Sequence, residues 1–383
     1  SMWERMRGRE YRRSGGYSSG IYKSVDGGDT WDELVNGLPD HAGVGRIGLA
    51  IAKSNPEVLY AFYDQHPVGS YSFEGIFKTI DGGAIWNQTN DSNISDMNSS
   101  FGWYFGQICV DPSNENRVYA MGVALCRTEN GGDSWQIIAD YGNMDEIHVD
   151  HHAMIIDEYT GRIVEGNDGG LYTSDDYGDN WDKIDNIPLT QFYAIEMDYL
   201  NPERIYGGTQ DNSTIRTLTG ALDDWNVILG GDGFHCKVDH MDPNIIFAES
   251  QWGNLHRSTN GGNWFEYIAG QMSNDRKNWS SPLEMHPVDP TTLYFGTYRV
   301  WKTTNSGDYW EAVSDDITDG DTGTSYHTVS TIGINPNYPN VVIAGTDDGN
   351  VHVSTDDGDN WTDVTEGLPN RWITRVAGDP FDM

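Results

Sequence analysis

Short runs of alternating apolar and polar residues recur along the whole chain, and turns separate them. In one unit the run IGLAIA (47–52) is followed by an Asn55-Pro56 turn and then by VLYAFY (58–63), GIFKT (75–79) and WNQT (86–89). Alternation with a period of two predicts strands with one buried face. Proline suits the turn because no ladder N–H is needed there. The unit therefore predicts four short antiparallel strands, a to d.

A second pattern, Ser/Thr-x-Asp/Asn-x-Gly-x-x-Trp, lies between strands c and d and recurs with the same spacing. Its copies begin at Ser24, Thr79, Thr128, Ser174, Ser258, Thr303 and Ser354, and a degenerate copy survives as Asp223, Asp224 and Trp225. The copy at Ser258 reads as one residue short of its tryptophan. The tryptophans follow one another at about 47 residues on average, which is the length of one four-stranded propeller blade.

The composition of this pattern predicts a hairpin turn. Glycine supplies positive φ, and the Ser/Thr and Asp/Asn side chains can accept hydrogen bonds from turn N–H groups. Tryptophan has the size to pack between neighbouring sheets. We therefore interpret the pattern as structural.

The predicted fold class is all-β: an eight-bladed β-propeller of four-stranded antiparallel blades, with seven blades as the alternative if the degenerate copy is incomplete. The first unit begins at strand b, residues 2–10, and the segment Arg371–Val376 after the last d strand has the pattern of an a strand. We expect these two segments to pair and close the ring, which removes two exposed sheet edges. Residues 1–383 are expected to form one domain that can belong to a longer protein with more repeats.

Charge and composition exclude several classes of partner. The chain has 59 acidic and 23 basic residues and a net charge of −36, which disfavours nucleic acids and anionic membranes. No apolar stretch approaches the roughly 20 residues of a membrane-spanning helix. Cys109, Cys126 and Cys236 fit no metal-site spacing and are expected to be buried thiols. The sequence predicts a monomer without a cofactor or metal.

The hairpin pattern resembles the Asp-box (BNR) repeats of sialidases, xyloglucan-active glycoside hydrolases, sortilin-type receptors and photosystem assembly propellers. A closer resemblance, to secreted bacterial sortilin-like or BNR-repeat glycosyl hydrolase proteins, rests on HVDHHA (148–153), GNDGG (166–170), QFYAI (191–195), GGTQDN (207–212), GGDGF (230–234), AESQWGN (248–254) and GTDDGN (345–350). This resemblance implies a secreted, cell-surface or periplasmic protein. The segment WERMRG (3–8) stands where a sialidase has its Arg-Ile-Pro segment, so no catalytic residue is carried over.

Blade topology predicts where a ligand would bind. The a–b and c–d turns lie on one face of a propeller, so the b–c loops and the entries to the a strands meet on the other face, around the channel. The b–c loops supply the predicted ligand-binding residues Asp168, Gln210, Asn212, Gln251, Trp252 and Arg299. The a-strand entries supply His151, His152, Gln191, Tyr193, His235, Trp279 and Trp372. Aromatic faces and polar groups of this kind are typical of carbohydrate sites.

Two sets of residues suggest more specific chemistry. Asp211 and Asp232 come from successive blades and could act as general acid and base on a glycosidic bond, or they could be polar channel lining. His148, Asp150 and His152 point to one side of a strand and His151 to the other, which favours a hydrogen-bonded lining over a metal site.

The leading functional interpretation is a secreted module that binds a glycan or a peptide. The alternatives are a glycoside hydrolase or polysaccharide lyase that uses channel carboxylates, and a sortilin-like scaffold that recognises proteins. A hydrolase should place two ionisable side chains about 5 to 9.5 Å apart, whereas a binding module should present an aromatic floor.

Overall fold

In the computed structural model the described residues are 1–7, 12–40, 43–65, 73–187, 189–321, 323 and 326–381. The chain divides into two compact units, Ser1–Ile187 and Pro188–Met383. Apart from single-turn 3-10 helices at Ser92–Ile94 and Gly270–Met272, the regular structure in these ranges is β-strand. Within the same ranges, no helix is long and apolar enough to cross a membrane. The predicted all-β class is confirmed.

The first unit contains three four-stranded antiparallel sheets, β5–β8, β9–β12 and β13–β16, and two hairpins, β1–β2 and β3–β4. The strands are β1 (Met6–Arg7), β2 (Arg12–Arg13), β3 (Ile21–Lys23), β4 (Asp32–Leu34), β5 (Val44–Ile51), β6 (Leu59–Gln65), β7 (Phe73–Thr79), β8 (Asn87–Gln88), β9 (Gln107–Asp111), β10 (Asn114–Met121), β11 (Leu125–Thr128), β12 (Gln136–Ala139), β13 (His151–Ile156), β14 (Ile163–Asn167), β15 (Gly170–Ser174) and β16 (Asp182–Lys183).

The second unit contains four four-stranded antiparallel sheets, β17–β20, β21–β24, β25–β28 and β29–β32. The strands are β17 (Phe192–Met197), β18 (Ile205–Thr209), β19 (Thr214–Thr217), β20 (Asn226–Leu229), β21 (Cys236–Val238), β22 (Ile246–Ser250), β23 (Asn254–Ser258), β24 (Glu266–Tyr267), β25 (Leu283–Met285), β26 (Leu293–Gly296), β27 (Val300–Thr303), β28 (Glu311–Ala312), β29 (Val329–Ile334), β30 (Val342–Thr346), β31 (Val351–Ser354) and β32 (Thr362–Asp363).

Each of these seven four-stranded sheets is a meander, because its strands lie side by side in sequence order. The hairpin β3–β4 supplies strands c and d of an eighth repeat, and the degenerate copy at 223–225 lies in a complete sheet, β17–β20. Repeated meanders of this kind are propeller blades. The fold class is that of a β-propeller, and the sheets follow the eight repeats predicted from the sequence.

The apolar core lies between consecutive blades of each unit. One buried cluster joins Phe62 and Ile76 of β6 and β7 to Ile108 and Val118 of β9 and β10. Strand alternation explains this arrangement, since every second side chain of a blade faces the neighbouring blade.

The turn between strands c and d has the predicted hydrogen bonds. In the second repeat the Gly83 N–H donates to Thr79 Oγ1 at 3.1 Å, and the Ile85 N–H donates to Asp81 Oδ1 at 3.0 Å. The third repeat has the same pair of bonds, from Gly132 and Ser134. Gly83 has a φ of +96°, a conformation that a residue with a Cβ seldom adopts.

The tryptophans of these turns are not all buried between blades, which corrects the sequence prediction. Trp86, Trp135 and Trp310 are buried, and Trp135 Nε1 donates to Thr89 Oγ1 of the preceding blade at 3.0 Å. In contrast, Trp31 and Trp264 are each 61% exposed. Trp31 belongs to the first hairpin, which has no preceding blade in its unit.

Trp264 is exposed because its turn is of full length, and not one residue short. The Trp264 N–H donates to Asn260 Oδ1 at 3.0 Å, the bond that Ile85 makes in the second repeat. Trp264 therefore occupies an exposed turn position. Phe265 takes the tryptophan position and packs against the core of its blade.

Both chain ends differ from the predicted strands. Met2 forms an antiparallel bridge with Gly20, as a strand b beside strand c would, but β1 and β2 then form a separate hairpin. Residues 8–11 lie outside the described residues. The segment 371–380 contains no strand, and the Ile373 N–H donates to the Thr346 carbonyl of the last blade at 3.0 Å. The expected strand 371–376 is thus not formed, and its pairing with residues 2–10 stays a prediction.

Candidate functional site

In the second unit, four aromatic side chains from successive blades form a connected group, here termed the aromatic cluster: Tyr193, Phe234, Trp252 and Trp279. Tyr193 stacks on Phe234 with ring centroids 4.6 Å apart and an interplanar angle of 27°. Trp279 meets Phe234 edge-on at 5.7 Å and Trp252 edge-on at 5.1 Å. Phe234 is buried, whereas Tyr193, Trp279 and Trp252 are 39%, 38% and 46% exposed. Two exposed rings therefore pack on buried Phe234, and the exposed ring of Trp252 packs on Trp279.

Close backbone packing brings the rings together. A Cβ at Gly208 would lie 2.2 Å from the Phe234 carbonyl oxygen, so glycine is required for this approach between the two blades. The Gly233 N–H donates to the Thr209 carbonyl at 3.0 Å across the same junction. Trp252, with a φ of +63°, donates its N–H to the Trp279 carbonyl at 3.1 Å. Main-chain bonds thus position the exposed rings.

Asp211 and Asp232 come together, as the topology predicts. The Asp211 N–H donates to Asp232 Oδ1 at 3.1 Å, and Asp232 forms an isolated parallel bridge with Ser213. Asp232 is 6% exposed and lies two residues before Phe234 of the aromatic cluster. One carboxylate therefore accepts a bond from the other residue's main chain, and their catalytic role stays a prediction.

Predicted amide side chains lie around these aspartates. The Gln210 N–H donates to the Gln191 carbonyl at 2.9 Å, and Asn212 Nδ2 donates to the Gln210 carbonyl at 3.0 Å. Gln251 precedes Trp252, and its side chain lies beside Gly231, the neighbour of Asp232. A Cβ placed on Gly231 would be only 2.7 Å from Gln251 Oε1. Amides and carboxylates of this kind can bond sugar hydroxyls beside the exposed rings.

Two titratable groups lie beneath this region. Glu249 of β22 is completely buried, its Oε1 accepts a bond from the Ser281 N–H at 2.7 Å, and its Oε2 has no hydrogen-bond partner among the described residues. Burial raises the pKa of Glu249 well above its usual value. Burial also lowers the pKa of His235 to about 4, so that the imidazole is neutral at pH 7. Glu249 was missed by the sequence prediction, although a lone carboxylate among apolar strand residues could have indicated it.

Two other predicted ligand-binding residues have different surroundings. Arg299 donates two hydrogen bonds to Asp275, from Nε at 3.0 Å and from Nη2 at 2.9 Å. Its guanidinium carbon is 4.9 Å from the ring centroid of Tyr298 and 4.8 Å from that of Trp301. Trp372 is exposed on the C-terminal segment. The binding roles of Arg299 and Trp372 stay predictions.

In the first unit, His152 and Asp168 form a partly exposed pair. His152 Nε2 lies 2.7 Å from Asp168 Oδ1, and this hydrogen bond raises the pKa of His152. The imidazole meets the exposed ring of Tyr104 edge-on at 5.4 Å. The pair therefore offers a polar group beside an open aromatic ring.

His151 was predicted to bind ligand, but it is completely buried. Its Nδ1 lies 2.8 Å from Glu165 Oε1, and Glu165 Oε2 accepts a bond from Asn167 Nδ2 at 2.9 Å. Strand alternation explains the difference, because it turns His151 inward and His152 outward. His151 thus belongs to the interior of its blade.

Asp150 is expected to titrate near pH 6. Burial raises the pKa of Asp150 to about 6, and the negative charge of Asp168 adds to this effect. The folded state then holds a proton that the unfolded chain has released, so this group lowers stability as the pH rises from about 4 to about 6. Carboxyl ¹³C NMR should show the midpoint. Asp168→Asn should move the Asp150 midpoint to lower pH, because it removes the neighbouring negative charge. Asp157→Asn, in an exposed turn, should leave the midpoint unchanged. Equal midpoints in the wild type and both variants would contradict the assignment.

One further group in the second unit could hold a metal ion. Ligand atoms of Asp319, His327 and Asp348 all lie within 4.8 Å of one another. His327 Nδ1 is 2.8 Å from Asp348 Oδ2, and His327 has a φ of +68°. Spacing in the sequence did not suggest this group, because its members come from two loops. The absence of a metal stays a prediction.

Comparison with known proteins adds a relationship to this geometry. No family model matches the chain. It is 24% identical over 293 residues to the xyloglucanase of Hypocrea jecorina (strain QM6a), an alignment that covers 72% of the chain and 31% of that protein. The chain is similar to xyloglucanases. A xyloglucanase of Paenibacillus sp is 25% identical over 383 residues, covering 89% of the chain and 33% of that protein. The chain thus spans about a third of the length of these curated relatives.

Solved structures include a GH74 enzyme from Niastella koreensis, with 16% identity, a TM-score of 0.36, and coverage of 97% of the chain and 66% of that protein. A GH74 xyloglucanase from Xanthomonas campestris has 14% identity and the same TM-score of 0.36, and covers 92% of the chain and 65% of that protein.

Proposed function

We propose that this chain is an exported glycan-binding propeller module and that its ligand is a β-linked glucan of the xyloglucan type. The observation that carries the proposal is the aromatic cluster, in which two exposed rings pack on buried Phe234 and a third, Trp252, packs on one of them. Sugars present C–H faces that stack on such rings, and hydroxyls that bond to neighbouring amides and carboxylates. The similarity to two xyloglucanases supports a glycan over a peptide.

Hydrolysis of the same glycan is the second candidate function, and the names of the relatives favour it. Asp211 and Asp232 meet beside the aromatic cluster, where a bound chain would pass. A general acid must carry a proton at working pH and reach the glycosidic oxygen. Buried Glu249 has the raised pKa, whereas Asp211 is the more accessible carboxylate. No observation on this chain favours the peptide-binding scaffold.

Binding is tested by isothermal titration calorimetry with a xyloglucan oligosaccharide. Trp252→Ala and Trp279→Ala should each weaken binding about tenfold, since each removes one stacking ring from the sugar. Trp264→Ala is the matched control, because Trp264 is at least as exposed but lies in a turn between strands. Equal affinities in all four proteins, or no binding by the wild type, would contradict the proposal.

Hydrolysis is tested on the same oligosaccharide by the release of reducing ends. For a hydrolase, Asp232→Asn or Asp211→Asn should lower turnover by about 10² to 10⁴-fold, because an amide cannot transfer the proton. In Asp232→Asn the oxygen of the new amide can still accept the Asp211 N–H, so the fold should persist. Binding by the wild type without any release of reducing ends would assign the chain as a binding module.

A further inference from the structure

A surface of different character lies in the first unit and is here termed the arginine surface: Trp3, Arg5, Arg46, Trp103 and Tyr104. The Arg5 guanidinium carbon is 5.2 Å from the ring centroid of Trp3 and 5.8 Å from that of Trp103. The Arg46 guanidinium carbon is 5.8 Å from Trp3, and Arg46 Nη1 donates to the Tyr104 carbonyl. Two guanidinium groups therefore share one indole ring.

These two arginines differ in their partners from most of the other arginines whose side chains the structure describes. Seven arginines form ion pairs with carboxylates: Arg117, Arg127, Arg162, Arg204, Arg257, Arg276 and Arg299. Within the part of the chain that the structure describes, neither Arg5 nor Arg46 forms an ion pair with a carboxylate. This is notable because acidic residues outnumber basic ones by 59 to 23. Carboxylates are abundant in the sequence, but the guanidinium groups of Arg5 and Arg46 lie near aromatic rings.

The surroundings of Arg46 carry an electrostatic cost. Burial is the largest effect and lowers the pKa of Arg46. The buried carboxylate of Asp64 opposes this shift, and the like charge of Arg5, a smaller effect than that of Asp64, adds to it. Like charges held close together repel each other, and more strongly where water is partly excluded. A bound anion between the two guanidinium groups would remove this repulsion.

The adjoining sequence concentrates further positive charge. The segment RMRGREYRR (5–13) contains five arginines, in a chain with 23 basic residues in all. Its described backbone forms the β1–β2 hairpin, with Met6 opposite Arg13 and Arg7 opposite Arg12. The arginine surface thus includes the first residue of the most arginine-rich stretch of a strongly acidic sequence.

Groups suited to a sugar lie next to the guanidinium groups. The ring of Tyr104 is exposed and adjoins Trp103, with centroids 5.4 Å apart. Tyr104 also contacts His152, which is hydrogen-bonded to Asp168. A ligand held by the arginines therefore has an aromatic face and a polar pair within reach.

We propose that the arginine surface binds the carboxylate of a uronic-acid-containing glycan. Arg5 and Arg46 pair with the carboxylate, for which the planar guanidinium is well suited, while Tyr104 stacks on the ring and His152 bonds a hydroxyl. The choice of a sugar as the carrier of the carboxylate rests on the proposed function, whereas the anion site itself does not. The surface adds an acidic sugar to the neutral glucan assigned to the aromatic cluster.

The test uses calorimetry with a galacturonic acid tetramer and with the same tetramer after its carboxylates are reduced to alcohols. The acidic form should bind about tenfold or more tightly than the reduced form, and the difference should shrink as salt is raised. Arg5→Gln and Arg46→Gln should each weaken binding of the acidic form about tenfold. Arg162→Gln removes the same charge at an exposed ion pair with Asp175 and should leave the affinity unchanged.

The possible outcomes are distinct. Equal affinity for the two tetramers would overturn the proposal, as would a loss of affinity in Arg162→Gln as large as in the Arg5 and Arg46 variants. Tighter binding of a hexaglutamate peptide than of the acidic tetramer would overturn the sugar assignment. Arg46→Lys keeps the charge without the paired donors, so it should bind with intermediate affinity and an unchanged melting temperature. If the arginine variants only melt earlier and bind as the wild type does, the role is structural. Loss of xyloglucan binding with intact uronate binding would refute the proposed function alone.

Discussion

Trp310→Ala is expected to lower the free energy of unfolding by about 3 to 5 kcal/mol. Trp310 is 1% exposed and packs in one buried cluster with Phe247 and Ile268 of the preceding blade, and with Phe295 of its own. Removing the indole leaves a cavity between two sheets. The sheets cannot move together to fill this cavity without disturbing the packing around it. Urea denaturation followed by tryptophan fluorescence and circular dichroism measures the loss.

Trp264→Ala provides the matched comparison, since it removes the same side chain from an equivalent turn. Trp264 is 61% exposed, so this change should cost no more than about 0.5 kcal/mol. Phe265→Ala should be the costlier change in that repeat, because Phe265 is partly buried and packs against the core. A loss at Trp264 as large as that at Trp310 would show that the turn has the shortened register after all.

These two tryptophans also show how far the sequence could predict the fold. Alternation and the spacing of the turns predicted the blades, since both are local consequences of strand and hairpin geometry. The assignment at Trp264 failed because the tryptophan was used to set the register. The glycine and asparagine of the turn, Gly262 and Asn260, make the hydrogen bonds that decide it.

The candidate site was predictable where topology alone determines it. Loops that leave neighbouring blades on the same face were expected to meet, and the contacts of Tyr193, Trp252 and Asp232 follow from this. Buried supports were not predictable in the same way, because Phe234 and Glu249 depend on which side chains neighbouring blades enclose. The structure of the N-terminal segment was harder to predict. The sequence assigned the residues around Trp3 and Arg5 to one strand, whereas the arginine surface depends on tertiary contacts with Arg46 and Trp103.

Glu249→Gln is expected to stabilise the protein at pH 8 and to change little at pH 4. Burial raises the pKa of Glu249 well above 4.5, so the folded state keeps a proton that the unfolded chain releases above that pH. The free energy of unfolding of the wild type should therefore fall by about 1.4 kcal/mol per pH unit between the unfolded and folded pKa. Glutamine has no such titration, and its carbonyl can accept the Ser281 N–H as Oε1 does.

Denaturation curves of wild type and Glu249→Gln between pH 5 and pH 8 test this expectation. The difference in unfolding free energy should widen with pH, in favour of the variant. Glu311→Gln, at an exposed position of β28, removes the same charge and should give a difference that does not depend on pH. Parallel pH profiles for wild type and Glu249→Gln would mean that the carboxyl is ionised inside the fold. It would then need a cationic or donor partner near Oε2, and the region beneath the aromatic cluster would carry a charge available for catalysis.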